Sequence, residues 1–246
     1  MSENLPEVRS TFRERAKAYN QEAEWVRDER LLQLIAPEPF GTGAACDYCA
    51  GTGVVAEALH NRGWKVTAVD ISHDMLESIG RQNISRLVCD ATATSLPSGA
   101  FDLLVCRQGL QYLRLAAAFG EMKRLSNREI RLAHITTESE AEDTSWRAYF
   151  RVASPGRLHV FHPDQLQKAC TSAGLRIRTQ EVLHTWGPFL GPIRHLPDQR
   201  QRWLLQWLHR HSDMMRRNYG LHRREDGELW YSQRWEVIEA TATSRA

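Results

Sequence analysis

The stretch Asp47-Tyr48-Cys49-Ala50-Gly51-Thr52-Gly53, running unbroken into Val54-Val55-Ala56-Glu57-Ala58-Leu59-His60, decides how this chain is read. A short apolar run at 44–49 ends in two glycines separated by one residue, and a helical pattern begins directly after them. Glycine there permits a tight turn and lets a ligand lie against bare backbone. The N-terminus of the next helix offers free N–H groups and the positive end of its dipole, so an anionic ligand end is expected at this turn.

Outward from the turn the alternation repeats. Apolar runs at 64–69, 85–89, 101–106 and 130–135 are separated by helical stretches, one ending near Asn61, one starting at Ser72 and one ending about Leu125. Strands alternating with helices predict βαβ units, a parallel sheet and right-handed crossovers. Pro163 opens a further helix that Gly174 closes, at the positions those residues favour. A sixth strand is expected at 175–183 and a seventh at 230–242. Residues 1–36 carry widely spaced apolar positions, Phe12, Tyr19 and Trp25 among them, and predict two amphipathic helices stopped by Pro37 and Pro39. The expectation is an α/β protein with a doubly wound, seven-stranded, mostly parallel sheet, in one domain over 1–246. Within it, 1–36 form an N-terminal helical cap, 44–136 a cofactor-binding core, and 137–161 and 185–228 insertions that cover a substrate.

Composition narrows the partners. Apolar residues at 42% and charged residues at 25% are ordinary for a globular chain, and a net charge of +2 lacks the uniform excess of a dedicated nucleic-acid binder. A local basic stretch, 194–224, holds eight arginines against two aspartates. Its Trp203, Leu204, Trp207, Leu208, Met215 and Tyr219 fall at helical spacing, so it reads as a lid helix with solvated arginines rather than a nucleic-acid face. Five scattered cysteines argue against a disulfide framework. Cys46-Asp-Tyr-Cys49 has redox or zinc spacing, but no second pair completes four ligands, so no metal is expected. No apolar run approaches the ~18 residues of a spanning helix and the start lacks a secretion signal, so a cytoplasmic location is expected. Monomer and homodimer both fit.

Two further acids end strands. Asp70 closes Val66-Thr-Ala-Val-Asp70, seventeen positions after Gly53 and close to the ~20-residue offset at which an acid meets a ribose hydroxyl. Asp90 closes the third strand in Leu87-Val-Cys-Asp90-Ala91, where an adenine amino group is a natural partner. Either acid read alone is equally a helix cap or turn residue. Gly51-Thr-Gly53-Val-Val-Ala56 with Asp70 also satisfies the dinucleotide fingerprint, which keeps an NAD-dependent oxidoreductase as an alternative. Asp47, a charge at what dinucleotide binders use as an apolar strand end, counts against it.

Taken with Phe101-Asp-Leu-Leu-Val-Cys-Arg107-Gln108-Gly-Leu-Gln111-Tyr-Leu, these features resemble class I S-adenosylmethionine-dependent methyltransferases over roughly residues 12–183. Within that class the chain looks most like the small-molecule group that includes the ubiquinone/menaquinone C-methyltransferases. The resemblance implies a Rossmann-like fold with S-adenosylmethionine as cofactor and S-adenosylhomocysteine as product. It places Gly51 and Gly53 along the methionyl part, Asp47 near its amino group, Asp70 on both ribose hydroxyls, and Asp90 with Ala91 at the adenine. Arg107 and Gln108 would lie on the methionine side facing the substrate, and Cys49, Ile71 and Tyr19 complete the expected set. Three departures stand out. Cys49 replaces the usual first glycine, Gln111 the usual histidine after strand four, and Ser126-Asn-Arg-Glu the glycine pair before strand five, whose turn must differ in shape.

The expected reaction is in-line methyl transfer to N, O or C of a small aromatic or heteroaromatic acceptor. A protein that binds S-adenosylmethionine without methylating remains a further alternative. A base is required only where the acceptor must lose a proton early. His134, near the end of strand five, is the first candidate, followed by Tyr149, then His159 and His184. The aromatics of the insertions, Trp146, Tyr149, Phe150, Trp186, Phe189, Trp203 and Trp207, are the residue types that line pockets for planar ligands.

Overall fold

The computed structural model describes residues 5–16, 19, 24–39, 42–80 and 83–242. Its sheet runs β3-β2-β1-β4-β5-β8-β6, with a short β7 pairing β8 off this path. The strands are β1 Ala44–Tyr48, β2 Lys65–Asp70, β3 Ser85–Val88, β4 Phe101–Arg107, β5 Ser126–Thr136, β6 Leu175–Pro188, β7 His222–Arg223 and β8 Leu229–Ala242. β1 to β5 pair in parallel. β8 is antiparallel to both β5 and β6, so it alone reverses direction among the seven strands of the main path. The sequence pattern anticipated the Rossmann-like, mostly parallel sheet and its helical additions. It did not anticipate β7, a two-residue pairing with no hydrophobic pattern of its own.

Buried on both faces, β1 and β4 read as nearly continuous apolar runs. One face carries α1 to α4: α1 Leu5–Arg15, α2 Glu29–Ile35, α3 Val54–Asn61 and α4 His73–Glu77. Of these, α2, α3 and α4 give Leu31, Ile35, Val55, Leu59 and Leu76 to one buried cluster with strand residues. The opposite face carries α5 Leu115–Leu125 and α7 Gln165–Ser172, which bury Phe119, Met122, Leu166 and Cys170. α6 Asp143–Ala153, α8 Asp198–Arg210 and α9 Ser212–Tyr219 make a third cluster around Trp146, Tyr149, Phe189 and Trp207. The insertions therefore have a core of their own. The lid helix expected within 194–224 is two helices, broken at His211, whose Nδ1 faces the Trp207 carbonyl at 2.8 Å.

The turn before strand five differs as its residues imply. α5 passes straight into β5 through Ser126, and the β4–β5 register shifts between Phe101 and Leu103. Asn127 reaches across to Asp102 at 3.3 Å. The strand order reverses between β1 and β4, which is where open α/β sheets receive ligands beyond their carboxyl ends.

Candidate active site

Three consecutive loops at that edge are built around carboxylates. Gly53 is the N-cap of α3 and has no side chain to offer, so Asp47 does the capping from the preceding strand, accepting the Ala56 N–H at 2.8 Å. Asp70 ties two loops together: Oδ2 accepts from Gly51 N at 2.8 Å and Oδ1 from Ser72 N at 2.9 Å. Each oxygen keeps lone-pair capacity for a further donor. Asp90 folds its own turn, accepting from the Thr92 N–H at 2.9 Å and the Thr92 hydroxyl at 2.7 Å. Capping and turn roles are thus real for all three acids, and they coexist with a shared cavity wall.

The turn itself is held in left-handed backbone, with φ +63° at Cys49, +56° at Gly51 and +78° at Gly53. The two glycines serve different ends. A Cβ on Gly53 would lie 2.4 Å from Ile79 Cγ1, so that glycine allows α3 to pack. A Cβ on Gly51 would meet nothing within 4 Å, because Gly51 faces open space.

That space is a cavity with an empty volume of about 830 Å³, its mouth included. Its walls contain ten of the eleven residues expected on the cofactor: Tyr19, Asp47, Cys49, Gly51, Asp70, Ile71, Asp90, Ala91, Arg107 and Gln108. Gly53 is not among them. α1 contributes Leu5, Val8 and Phe12, one face of that helix. Burial sets the charges here. It pushes the Asp47 carboxyl up to about 7, with Arg107 pulling it partly back. Burial likewise raises Asp70 against the N–H groups of Ser72, Gly51 and Ile71, and lowers Arg107. Arg107 donates to the Val26 carbonyl at 2.7 Å and lies 5.4 Å from the Trp25 ring.

A second cavity, with an empty volume of about 1030 Å³, shares Phe12, Tyr19, Trp25, Gln108 and Tyr112 with the first. Its other walls include six rings, among them Trp146, Tyr149, Phe150 and Tyr231. Gln108, at φ +58°, is pinned between the two cavities. Its N–H donates to Ala133, while Gln111 Nε2 donates to its carbonyl at 2.7 Å and to its Oε1 at 2.9 Å. The Gln111 carbonyl accepts from Leu158 and His159, fastening the first insertion to this loop. Gln111, noticed in the sequence only as a departure, is a junction of the site. Tyr112, Phe12, Trp25, Arg15 and Arg157 are wall residues with no local sequence signal.

The base candidates fare differently. His134 is fully buried, sits edge-on to Phe161 at 5.5 Å, and lines neither cavity, although its neighbours Ile135, Thr136 and Thr137 do. Burial, helped by Arg157, pushes its pKa down to about 3. The structure does not bring His134 to this cavity: Thr136, on the same face of β5, reaches the wall, whereas His134 lies two residues further from the carboxyl end, beneath the wall residue Phe161. Tyr149 lines this second cavity, and burial drives its phenol well above the usual range, so it stays protonated near neutrality. His159 faces the Leu113 carbonyl at 3.0 Å and His184 pairs Glu138 at 3.2 Å, both outside this cavity. Of the insertion aromatics, Trp146, Tyr149 and Phe150 reach the wall. Phe189 and Trp207 pack behind it, Trp203 is partly buried against the same cluster, and Trp186 is 48% exposed. The five cysteines are free, no group of metal-ligating side chains exists among the described residues, and no helix there is long and apolar enough to cross a membrane.

Comparison with known proteins agrees with this fold. Residues 46–131 match the family model described as a methyltransferase domain. No curated protein sequence matches significantly. Among solved structures, a Bacillus halodurans C-125 protein provisionally assigned as a methyltransferase superposes with a TM-score of 0.76 at 17% identity, over 88% of this chain and 99% of its own. The YcgJ protein of Bacillus subtilis gives 0.73 at 15% identity, over 92% and 100%. A geranyl diphosphate C-methyltransferase from Streptomyces coelicolor A3(2), solved with Mg2+, geranyl diphosphate and S-adenosyl-L-homocysteine, gives 0.54 at 13% identity, over 92% and 80%.

Proposed function

We propose, from the premise that residues 46–131 are a class I S-adenosylmethionine-dependent methyltransferase domain, that this enzyme methylates a small aromatic or heteroaromatic molecule held in the second cavity. The observation that carries the reading is the shared wall. A cavity edged by a bare Gly51 backbone and three strand-end acids opens, past Tyr19, Trp25, Gln108 and Tyr112, onto an aromatic one. The empty space in front of Gly51 and the spare lone pairs on Asp70 fit the group the fold implies.

S-adenosylmethionine supplies a sulfonium methyl already activated for displacement. Every other contribution comes from the chain. Asp70 offers two carboxylate oxygens to a ribose diol, Asp90 accepts from an adenine amine, and Asp47 with the Gly51 loop receives the methionyl end. Phe12 and Tyr19 close over the junction from the N-terminal cap, edge-on to each other at 6.4 Å. The arrangement positions two reactants and excludes water, which is the larger part of what an in-line transfer requires. Among the described residues the wall of the second cavity holds no Asp, Glu or His, which favours an acceptor whose nucleophilic atom needs no base from the protein.

Titration calorimetry of the protein with S-adenosylmethionine, S-adenosylhomocysteine and NAD tests the reading. Micromolar binding of the first two without the third is expected, with at least ~100-fold weakening in Asp70→Ala from the loss of two charge-assisted hydrogen bonds. Binding of NAD in place of the other two would return the oxidoreductase.

A further inference from the structure

The acceptor cavity holds two cations and, among the described residues, no carboxylate. Arg15 and Arg157 line it, and no Asp or Glu does. Arg157 is the informative one. Its Nε donates to the His159 carbonyl at 2.7 Å and its guanidinium lies 3.8 Å from the Phe150 ring. No acidic side chain pairs with it among the described residues, and its two Nη groups have no protein hydrogen bond there. Burial pulls its pKa down to about 10. The residue is half-buried, and a partly desolvated cation without a counter-ion favours a ligand that brings one.

The position is nevertheless firmly built. Arg157 N donates to the Ser154 carbonyl at 3.0 Å, and the Ser154 hydroxyl meets the Tyr112 hydroxyl at 2.9 Å. Gly156, the residue before Arg157, packs so closely on α1 that a Cβ there would lie 2.8 Å from Val8. The turn that carries Arg157 is therefore clamped between the cap and the cofactor-side wall. Beside it, Gln111 Oε1 and Gln108 Nε2 are buried without a partner, one acceptor and one donor on the same wall. Gln111 is 3% exposed. The lining thus leaves a cation, an amide donor and an amide acceptor unused, inside a box of rings.

We propose that the acceptor is an aromatic carboxylate, its carboxylate gripped by the two free Nη groups of Arg157 and its ring stacked among Tyr149, Phe150 and Tyr112. A guanidinium edge matches a carboxylate with two parallel hydrogen bonds, a fit that a neutral amide or a cationic amine does not offer. Arg157 is absent from the walls that the two cavities share, so the carboxylate is the anchor and another atom of the ligand faces the methyl. Arg15, 4.9 Å from the Tyr19 ring, adds positive potential on the same cavity. This inference rests on the methyl-transfer reading only for the direction the ligand faces.

The test uses an isosteric pair, 2-naphthoate and 2-naphthamide, titrated into protein saturated with S-adenosylhomocysteine. The acid is expected to bind at least ~30-fold more tightly than the amide, the difference expected of a charge-assisted pair. Arg157→Gln brings the two within ~3-fold by weakening the acid alone, with S-adenosylhomocysteine affinity kept; Arg157→Lys keeps part of the preference. Equal binding of acid and amide, binding of neither, or a ratio unmoved by Arg157→Gln overturns the proposal. If Arg157→Gln fails to fold, seen as lost S-adenosylhomocysteine binding, the wild-type ratio and the lysine variant decide. Should wild-type protein ignore S-adenosylhomocysteine yet still discriminate acid from amide, the methyl-transfer reading falls while the anion site stands.

Discussion

In the first cavity the three acids take partners near in sequence: Thr92 on Asp90 two positions away, Ala56 on Asp47 nine away, Gly51 on Asp70 nineteen away. In the second the rings meet across long separations. Trp146 donates to the Tyr219 hydroxyl across 73 positions, and its ring packs on Tyr149, Phe150 and Trp207 within 5.7 Å. The first site is made of backbone and fixed by short loops on a parallel sheet. The second is made of side chains from the insertions and the N-terminal cap. On the proposed reading the first would serve any acceptor and the second would select one.

The sharpest way to break this division is to empty the second region and watch the first. Trp146→Ala removes a ring held by four others and leaves Tyr219, which donates to Glu142, without the indole partner. About 4 kcal/mol of stability should be lost in chemical denaturation, while S-adenosylhomocysteine affinity, measured by calorimetry, stays within ~3-fold at saturating native protein. A collapse of cofactor binding in the still-folded variant would show that the two cavities are one unit.

A smaller effect separates the two glycines inside the first region. Gly53→Ala drives a Cβ into Ile79 and strains a φ of +78°, and should cost about 3 kcal/mol. Gly51→Ala strains φ alone, at about 1 kcal/mol, yet its methyl projects into the cofactor space, so binding should suffer more than stability. Equal losses of stability in the two variants would contradict the assignment of Gly51 to the cavity and Gly53 to the helix packing.

The smallest effect is a pH dependence. Burial raises Asp47 to about 7 in the free protein, so near neutrality it is partly protonated. A cationic ammonium beside it favours the carboxylate, lowers that pKa and expels a proton on binding. S-adenosylmethionine affinity should then rise about tenfold between pH 6 and 8, with proton release visible as a buffer dependence of the calorimetric heat. The Asp47→Asn variant should show a flat profile; a wild-type profile already flat would move the ammonium elsewhere.

What the sequence made legible follows the same division. Strand ends, glycine turns and the acids after them depend on local chain direction, and Asp47, Asp70 and Asp90 did meet in one wall. His134 did not reach a cavity because it stops two residues short of Thr136 on the same face of β5 and lies under Phe161, a depth that strand periodicity does not reveal. Arg157 gave no signal at all. It is one arginine among many, and only the packing of Gly156 on Val8 and of Ser154 on Tyr112 brings it to the ligand's side. The aromatic insertion residues announced a pocket without saying which rings face it, since Trp146 and Trp207 are the same residue type in the two insertions and only the first is a wall.

The place of β8 bears on how the molecule is made. It inserts between β5 and β6, pairing thirteen residues of one and seven of the other, although it is the last of the three to leave the ribosome. Until 229–242 have emerged, β5 and β6 both stand as open edges, and the aromatic insertion between them has no sheet to close upon. Completion of the acceptor cavity is thus a late event in synthesis, while the loops that hold the cofactor, drawn from β1 to β4, are already in hand. A chain ending before residue 229 would leave the β5 edge unpaired and β6 without its partner strand.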